Sequence, residues 1–294
     1  MHFSKMQGVG NDFVMVDCLG TSGADTQETV RGHAILLCDR RFGVGADGVI
    51  LVLPASAPTV TGVETAGPRF RMVMYNPDGS EAEMCGNGIR CFAKFLVDRG
   101  HAGEETHLAV ETGAGLLYVD VIKDGLGKVS TVRVDMGEPV LDPKRIPTTL
   151  TETDTAINVP LEVGGTVLRF TAVSMGNPHA VTFVDSVAHF PVGQIGPLVE
   201  NHPAFPRRTN TEFVEIVSQT ETRFRVWERG AAETLACGTG ACASVVAGSL
   251  NGLTGRNVTV HLPGGDLWIE WSEADNHVYM TGPAADVFEG DIVF

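Results

Sequence analysis

One segment of this chain is written twice, and that repetition limits what the chain can fold into. Tyr75-Asn76-Pro77-Asp78-Gly79-Ser80-Glu81-Ala82-Glu83-Met84-Cys85-Gly86-Asn87-Gly88 has a counterpart in Trp227-Glu228-Arg229-Gly230-Ala231-Ala232-Glu233-Thr234-Leu235-Ala236-Cys237-Gly238-Thr239-Gly240. Each ends in Cys-Gly-X-Gly and runs on into helix-forming residues. Asn76 precedes Cys85 by the same nine positions that separate Glu228 from Cys237. A short strand precedes each copy, at 69–74 and 223–226. The chain reads as one supersecondary unit used twice, with a cysteine at the same point in each.

The repetition reaches further. Residues 3–17 give a strand, a break at Gly8-Val9-Gly10-Asn11-Asp12 and a second strand; residues 170–181 repeat that grammar around Gly176-Asn177. Asn11 and Asn177 stand 166 positions apart and the two cysteines 152, too far for a solenoid repeat and suited to two duplicated domains. The boundary is placed near residue 130, giving a first domain at 1–130 completed by 281–294, and a second at 131–280. In the first, a helix begins at Thr26 with Thr26 or Asp25 as its cap, and Arg40–Gly48 is a glycine-rich turn into the strand 49–53. Residues 54–68 form a solvated excursion. The helix at 89–97 is apolar on nearly every face and ends at Gly100. Alternation between 105 and 136 predicts strands with a hairpin at Lys123-Asp124-Gly125. In the second, a helix lies around Ile195–Glu200, and the one after Cys237 is rich in small residues, which lets a sheet wrap it closely. A pseudo-twofold relation would bring the two cysteines face to face across an interdomain cleft, a usual place for a small-molecule site.

Bulk properties narrow the partners. The 294 residues carry a formal charge of −15 and no basic run, so nucleic acid and anionic membrane surfaces are poor partners. No apolar run approaches the ~18–20 residues that span a bilayer, and the first residues lack a signal peptide's apolar core. Six cysteines, none in Cys-X-X-Cys spacing, suit reduced thiols in a cytoplasmic enzyme. Cys18, Cys38, Cys91 and Cys242 read as packing residues.

A cysteine at a helix start, followed by glycines, lies where backbone N–H groups and roughly half a positive charge favour anions. Two consequences are expected: a thiol pKa lowered toward neutrality, and N–H groups able to grip a substrate carboxylate. With a carbon acid between two such sulfurs, one thiolate removes the α-proton while the opposite thiol protonates the other face, and configuration inverts. Neither a metal nor an organic cofactor is required. Competing uses fit less well. A Cys85–Cys237 disulfide would inactivate, a redox pair favours Cys-X-X-Cys, zinc wants further ligands close by, and neither glycine-rich nucleotide motif matches.

At these residues the sequence resembles the diaminopimelate epimerases. The resemblance runs over Phe3–Met6, Gly10–Phe13, Gly43–Gly48, Asn76–Cys91, Ser174–His179, Glu228–Ala243 and Leu262–Gly265. It implies an α+β fold of two pseudo-symmetric domains, each a mixed β-sheet curled as a partial barrel around a central helix. It further implies a cofactor-independent epimerase of LL- and meso-diaminopimelate in lysine and peptidoglycan-precursor synthesis, often a homodimer. Carried over by motif, Cys85 and Cys237 are the acid–base residues, and Gly86, Asn87, Gly238 and Thr239 bind the reacting carboxylate. Asn11, Asn76, Asn177, Asn210, Glu228 and Arg229 hold the remaining amino and carboxylate groups; Arg suits a bidentate carboxylate. His179 and Glu228 position the cysteines, with a purely structural, hydrogen-bonded His179 as the other reading. Two departures stand out: Gly48 where some members carry Gln, and Ala232 where Gly is common. Proline, hydroxyproline or histidine racemases of the same fold remain alternatives, as does a non-catalytic amino-acid-binding relative. The first two usually read Cys-Gly-His-Gly and lack Glu-Arg, so Asn87 and Glu228-Arg229 argue against them.

Overall fold

The computed structural model describes residues 1–20, 23–56 and 68–294, which form two compact units: Met1–Val134 with Gly282–Phe294, and Asp135–Thr281. The excursion read at 54–68 falls mostly on 57–67, outside the described residues.

In the first unit, β1 (His2–Gly8) and β2 (Asn11–Asp17) form an antiparallel hairpin. Its turn residues Val9 and Gly10 both have positive φ, 54° and 85°, which a two-residue turn of the tightest kind demands. A β-branched residue in that region is strained; Val9 is buried, and Gln7 Oε1 accepts the Gly10 N–H at 3.1 Å. Helix α1 (Gly23–Cys38) leads to β3 (Gly48–Pro54), which lies parallel to β2. The helix starts earlier than its sequence suggests, so Thr26 lies inside it rather than at its cap. The side chain of Asp25 is outside the described residues. β4 (Phe70–Tyr75) runs antiparallel to β3, and the two-residue β5 (Glu81–Ala82) folds back on it. After α2 (Gly86–Asp98), β6 (His107–Thr112) returns parallel to β4 and continues as a meander through β7 (Gly115–Lys123) and β8 (Val129–Asp135).

The second unit runs through the same series. After β9 (Val159–Val163), β10 (Thr166–Ser174) and β11 (Pro178–Phe183) make the hairpin. Helix α3 (Val192–Glu200) leads to β12 (Asn210–Ser218), parallel to β11. β13 (Glu221–Glu228) is antiparallel to β12, and β14 (Ala232–Thr234) folds back on it. Helix α4 (Gly238–Leu250) leads to β15 (Asn257–Leu262), parallel to β13, then to β16 (Gly265–Trp271) and β17 (Val278–Pro283). β18 (Ala285–Asp291) pairs with β1, as β9 pairs with β10. Each of these strand pairings in one unit thus has its counterpart, with the same polarity, in the other. The short strands β5 and β14 leave no period in the sequence, because two or three residues cannot show one.

Each unit is α+β, with mixed pairing about one buried helix. Every residue of α2 from Gly86 to Val97 is buried, against β1, β2, β3 and β7. Each fully buried Phe or Leu there contributes about 1.5–3 kcal/mol. The helix also takes two cations inside, Arg90 and Lys94, the latter tied to Asp98 at 2.7 Å and to the Val129 carbonyl at 2.8 Å. In α4 the small residues Ala241, Ala243, Ala247 and Gly248 are buried, which lets β10, β11, β12, β15 and β16 approach closely. Among the described residues no helix is long and apolar enough to cross a membrane.

Candidate active site

Cys85 is the N-cap of α2, in extended backbone (φ −143°, ψ 115°), and its Sγ accepts the Gly88 N–H at 3.3 Å. A Cβ on Gly88 would lie 3.5 Å from that sulfur and 2.9 Å from Ile50 Cδ1, so a bare Cα lets the first turn close over the thiol. The N–H groups of a helix's first turn have no partner within the helix, which leaves those after Cys85 suited to an anion.

Asn87 is tied from both ends. Its Nδ2 donates to Asn11 Oδ1 at 2.7 Å, while its Oδ1 accepts from Arg90 Nη2 at 2.9 Å. Arg90 is fully buried, and it also donates to the Gly86 carbonyl at 3.1 Å and the Pro283 carbonyl at 3.2 Å. Because a guanidinium only donates, it dictates which end of the Asn87 amide faces Asn11. Asn11 Nδ2 then donates to Asp47 Oδ2 at 2.8 Å. Arg40 joins Asp47 to Asp12, and Lys5 lies 2.7 Å from Asp12. Burial alone would raise the Asp12 carboxyl; hydrogen bonds from Arg40 and Lys5 outweigh it and bring it down to about 2. The turn before Asn11 lies against the helix because residue 8 is glycine: a Cβ there would come within 3.1 Å of the Asn87 carbonyl oxygen and 3.3 Å of Arg90. Asn76 instead holds its own turn, bonding Ser80 through side chain and backbone.

Cys237 caps α4 in the same extended conformation (φ −132°, ψ 107°), fully packed away, with Sγ 3.5 Å from Thr239 Oγ1. A Cβ on Gly240 would lie 3.3 Å from this sulfur and 2.8 Å from Glu212 Oε1. Asn177 Nδ2 donates to Thr239 Oγ1 at 3.3 Å, and Asn177 Oδ1 lies 2.9 Å from His179 Nε2. His179 Nδ1 is 2.7 Å from Glu212 Oε1, and both side chains are fully buried. Asn210 donates to the Pro178 carbonyl and accepts the Arg229 N–H, each at 2.9 Å, which pins the loop after β13. Glu228 accepts from the Thr234 hydroxyl. The Arg229 side chain is exposed and reaches the Arg207 carbonyl at 3.3 Å.

The lowered thiol pKa expected from the helix starts is not what Cys237 shows. Burial pushes it well above the ordinary range, and the neighbouring carboxylate of Glu228 pushes the same way. Cys85 is half-exposed. The other thiols fit their reading as packing residues: burial raises Cys18 and Cys38 to about 11 and Cys91 to about 12.

Within the units, the structure joins Asn11 to Asn87 beside Cys85, and it joins Asn177, His179 and Thr239 to Cys237. Arg90 and Glu212 belong to these clusters and were not singled out from sequence. A cation inside an otherwise apolar helix is a usable signal for Arg90. Glu212 offers only its even spacing from Asn210 on one strand. At Gly48, a Cβ would meet the Met74 methyl at 2.7 Å and the Tyr75 carbonyl oxygen at 3.0 Å, so a larger residue here requires a shift. Ala232 has φ 61°, which explains why glycine suits that place.

The fold is shared with known structures. A phenazine biosynthesis protein of the PhzF family from Bacillus anthracis superposes with a TM-score of 0.68 at 16% identity, over 100% of this chain and 99% of that one. A hydroxyproline epimerase from Agrobacterium vitis, solved with trans-4-hydroxy-L-proline, gives 0.70 at 15% identity, over 99% and 90%. At such identities the likeness is one of fold, and it sets the class: an α+β protein built like the PhzF proteins and hydroxyproline epimerase. The sequence narrows it. The pattern that defines diaminopimelate epimerases matches residues 3–141 and 171–287. The diaminopimelate epimerase of Moorella thermoacetica is 54% identical over 292 residues, covering 99% of each chain, and that of Pelotomaculum thermopropionicum 53% over 291, covering 99% of this chain and 98% of that one. The chain belongs to the diaminopimelate epimerase family, and it is an isomerase.

Proposed function

We propose that this epimerase interconverts LL- and meso-diaminopimelate with Cys85 and Cys237 as its two acid–base groups and no cofactor in the step. The observation that supports this most is the matched setting of the two thiols. Each caps a buried helix in extended backbone, and each has a glycine three residues on, where a Cβ would lie 3.5 Å from the Cys85 sulfur and 3.3 Å from that of Cys237.

In one direction Cys85, as thiolate, takes the α-proton and becomes a thiol. The C–H electron pair passes into the α-carboxylate, where N–H groups of Gly86, Asn87, Gly238 and Thr239 receive the charge. Cys237, kept protonated by burial and the nearby Glu228 carboxylate, gives its proton to the opposite face and is left as thiolate. The reverse reaction exchanges the roles. Asn11, Asn76, Asn177, Asn210, Glu228 and Arg229 hold the other amino and carboxylate groups, with the exposed guanidinium of Arg229 available to the distal carboxylate. His179 and Glu228 position and tune the second thiol. The chain works as two domains, 1–130 completed by 281–294 and 131–280, each supplying one cysteine. The enzyme works in the cytoplasm as a homodimer.

The test is Cys85→Ala and Cys237→Ala, each assayed in both directions and for solvent deuterium entering the α-carbon. Loss of epimerisation in both, with the fold kept by circular dichroism, is expected. Near-normal turnover in either variant removes the two-thiol mechanism.

A further inference from the structure

The two units match pairing for pairing, and the residues beside the two cysteines show where the copies part. In the first, Phe13 lies two residues past Asn11 on a strand that sets Met15 beside Ile50. In the second, His179 lies two residues past Asn177 on a strand that sets Val181 beside Glu212. The match holds in space. A Cβ on Gly88 would meet Ile50 Cδ1 and Cys85 Sγ; a Cβ on Gly240 would meet Glu212 Oε1 and Cys237 Sγ. Ile50 and Glu212 therefore occupy one station beside the cysteine turn, and Phe13 and His179 another on the adjacent strand. An apolar pair in one copy is a Glu–His pair in the other, although neither Glu212 nor His179 reaches solvent. Packing alone is met by the apolar version, so the polar pair serves something else.

The hydrogen bonds say what. Asn177 turns its Oδ1 to His179 Nε2 and its Nδ2 to Thr239, so Nε2 carries a hydrogen. His179 Nδ1 then either accepts a hydrogen bond from a protonated Glu212 carboxyl or, as part of an imidazolium, donates to a carboxylate. The second arrangement puts two charges out of reach of water, and Glu212 Oε2 has no hydrogen-bond partner among the described residues. The first asks much less of the site.

We propose that Glu212 is a positioning residue that stays protonated and donates to His179 Nδ1. Hydrogen bonds then run one way, from Glu212 through His179 and Asn177 to Thr239, and the Thr239 hydroxyl hydrogen is left for Cys237 Sγ. Burial raises the Glu212 carboxyl above its ordinary range against the opposing pull of His179, which fits a neutral group. The titratable groups bearing on it are His179 from β11 and Glu228 from β13; those bearing on Cys237 are Glu228 and Glu212 itself. A neutral Glu212 adds no negative charge beside the thiol, and the Thr239 hydroxyl stabilises the thiolate when Cys237 gives up its proton. This role in turnover rests on Cys237 being an acid–base residue.

Two substitutions and one spectrum test it. Glu212→Gln replaces the O–H donor with N–H and is expected to stay within about threefold of wild type in kcat, whereas Glu212→Leu keeps the bulk, loses the donor and falls about 100-fold, with KM changed much less. Nitrogen-15 NMR of enzyme labelled in histidine should show His179 neutral with its hydrogen on Nε2, in wild type and in Glu212→Gln. Equal loss in Gln and Leu variants, wild-type kcat in a folded Leu variant, or hydrogen on Nδ1 or on both nitrogens overturns the proposal. If Glu212→Leu does not fold, Glu212→Gln and the spectrum decide. Normal turnover in Cys237→Ala would instead overturn the link to catalysis while leaving the His179 spectrum as predicted, so the two failures are told apart.

Discussion

The Asn87 side-chain amide donates to Asn11 Oδ1 over 2.7 Å, joining two turns that lie 76 residues apart in the chain. Arg90, bonded to the other end of the same amide, fixes the direction of that donation. Asn87→Asp keeps the bond to Arg90 but removes the donor to Asn11. The expected result is a folded enzyme with kcat/KM lowered about 10–100-fold, the size of one lost charge-oriented hydrogen bond. Steady-state kinetics with thermal unfolding check it, and unchanged kinetics would show that the orientation of Asn87 is immaterial.

The thiols should differ in reactivity. Cys85 is half-exposed, whereas burial raises Cys18, Cys38, Cys91 and Cys237. Iodoacetamide near neutral pH should label Cys85 first, and activity should fall in step with that label. Cys237 should react slowly, and faster as pH rises. Peptide mass mapping over time gives the order; early labelling of Cys237 would contradict the raised thiol.

Gly240 and Gly88 hold the same place but face different neighbours. An added methyl at 240 would press on Glu212 Oε1, Phe224 and the Cys237 sulfur; at 88 it meets the Cδ1 end of the Ile50 side chain and, less closely, Cys85. Gly240→Ala should cost about 1–3 kcal/mol and most of the activity, and Gly88→Ala less stability. Urea unfolding of the two variants compares them, and the reverse order would argue against this account.

Asp12 ties stability to pH. Its carboxyl is lowered from 3.8 to about 2, so its contribution is complete above its ordinary value and is lost as pH falls through about 2. Asp12→Asn should therefore be less stable than wild type above pH ~4, with the gap closing toward pH ~2. Thermal unfolding across that range measures the gap; a gap independent of pH would mean that the charge is not what stabilises.

Ala232 occupies a backbone region that L-residues resist. Ala232→Gly should raise stability by up to about 1 kcal/mol, since relief of the left-handed strain exceeds glycine's entropic cost. A lower urea midpoint in the variant would count against strain at this residue.

Much of this architecture can be read from sequence because it depends on local chemistry. Glycine punctuates the starts of α2 and α4, so Cys85 and Cys237 are visible as cap residues before any fold is known. Alternation gives the strands from 105 to 136, and duplication gives the paired grammar. The parts that stay hidden depend on distant segments meeting. Glu212 matters because parallel pairing of β11 with β12 sets it two places along from the His179–Asn210 match, and Arg90 because Gly8 lets a hairpin lie on the first turn of α2. The raised thiol at Cys237 is hidden for the same reason: the motif shows the helix start but not the packing that buries the sulfur beside Glu228.

β1 lies between β2 and β18, with Met6 opposite both Phe13 and Asp286. In vectorial synthesis the β2 side can zip within the first two dozen residues, but the β18 side must wait until the whole of Asp135–Thr281 has been made. Throughout that interval the nascent chain carries an unpaired strand edge, the kind of surface that recruits a wrong partner. The contiguous second unit meets no such delay. Ribosome-bound chains halted before Ala285 should accordingly expose the β1 edge to chaperones.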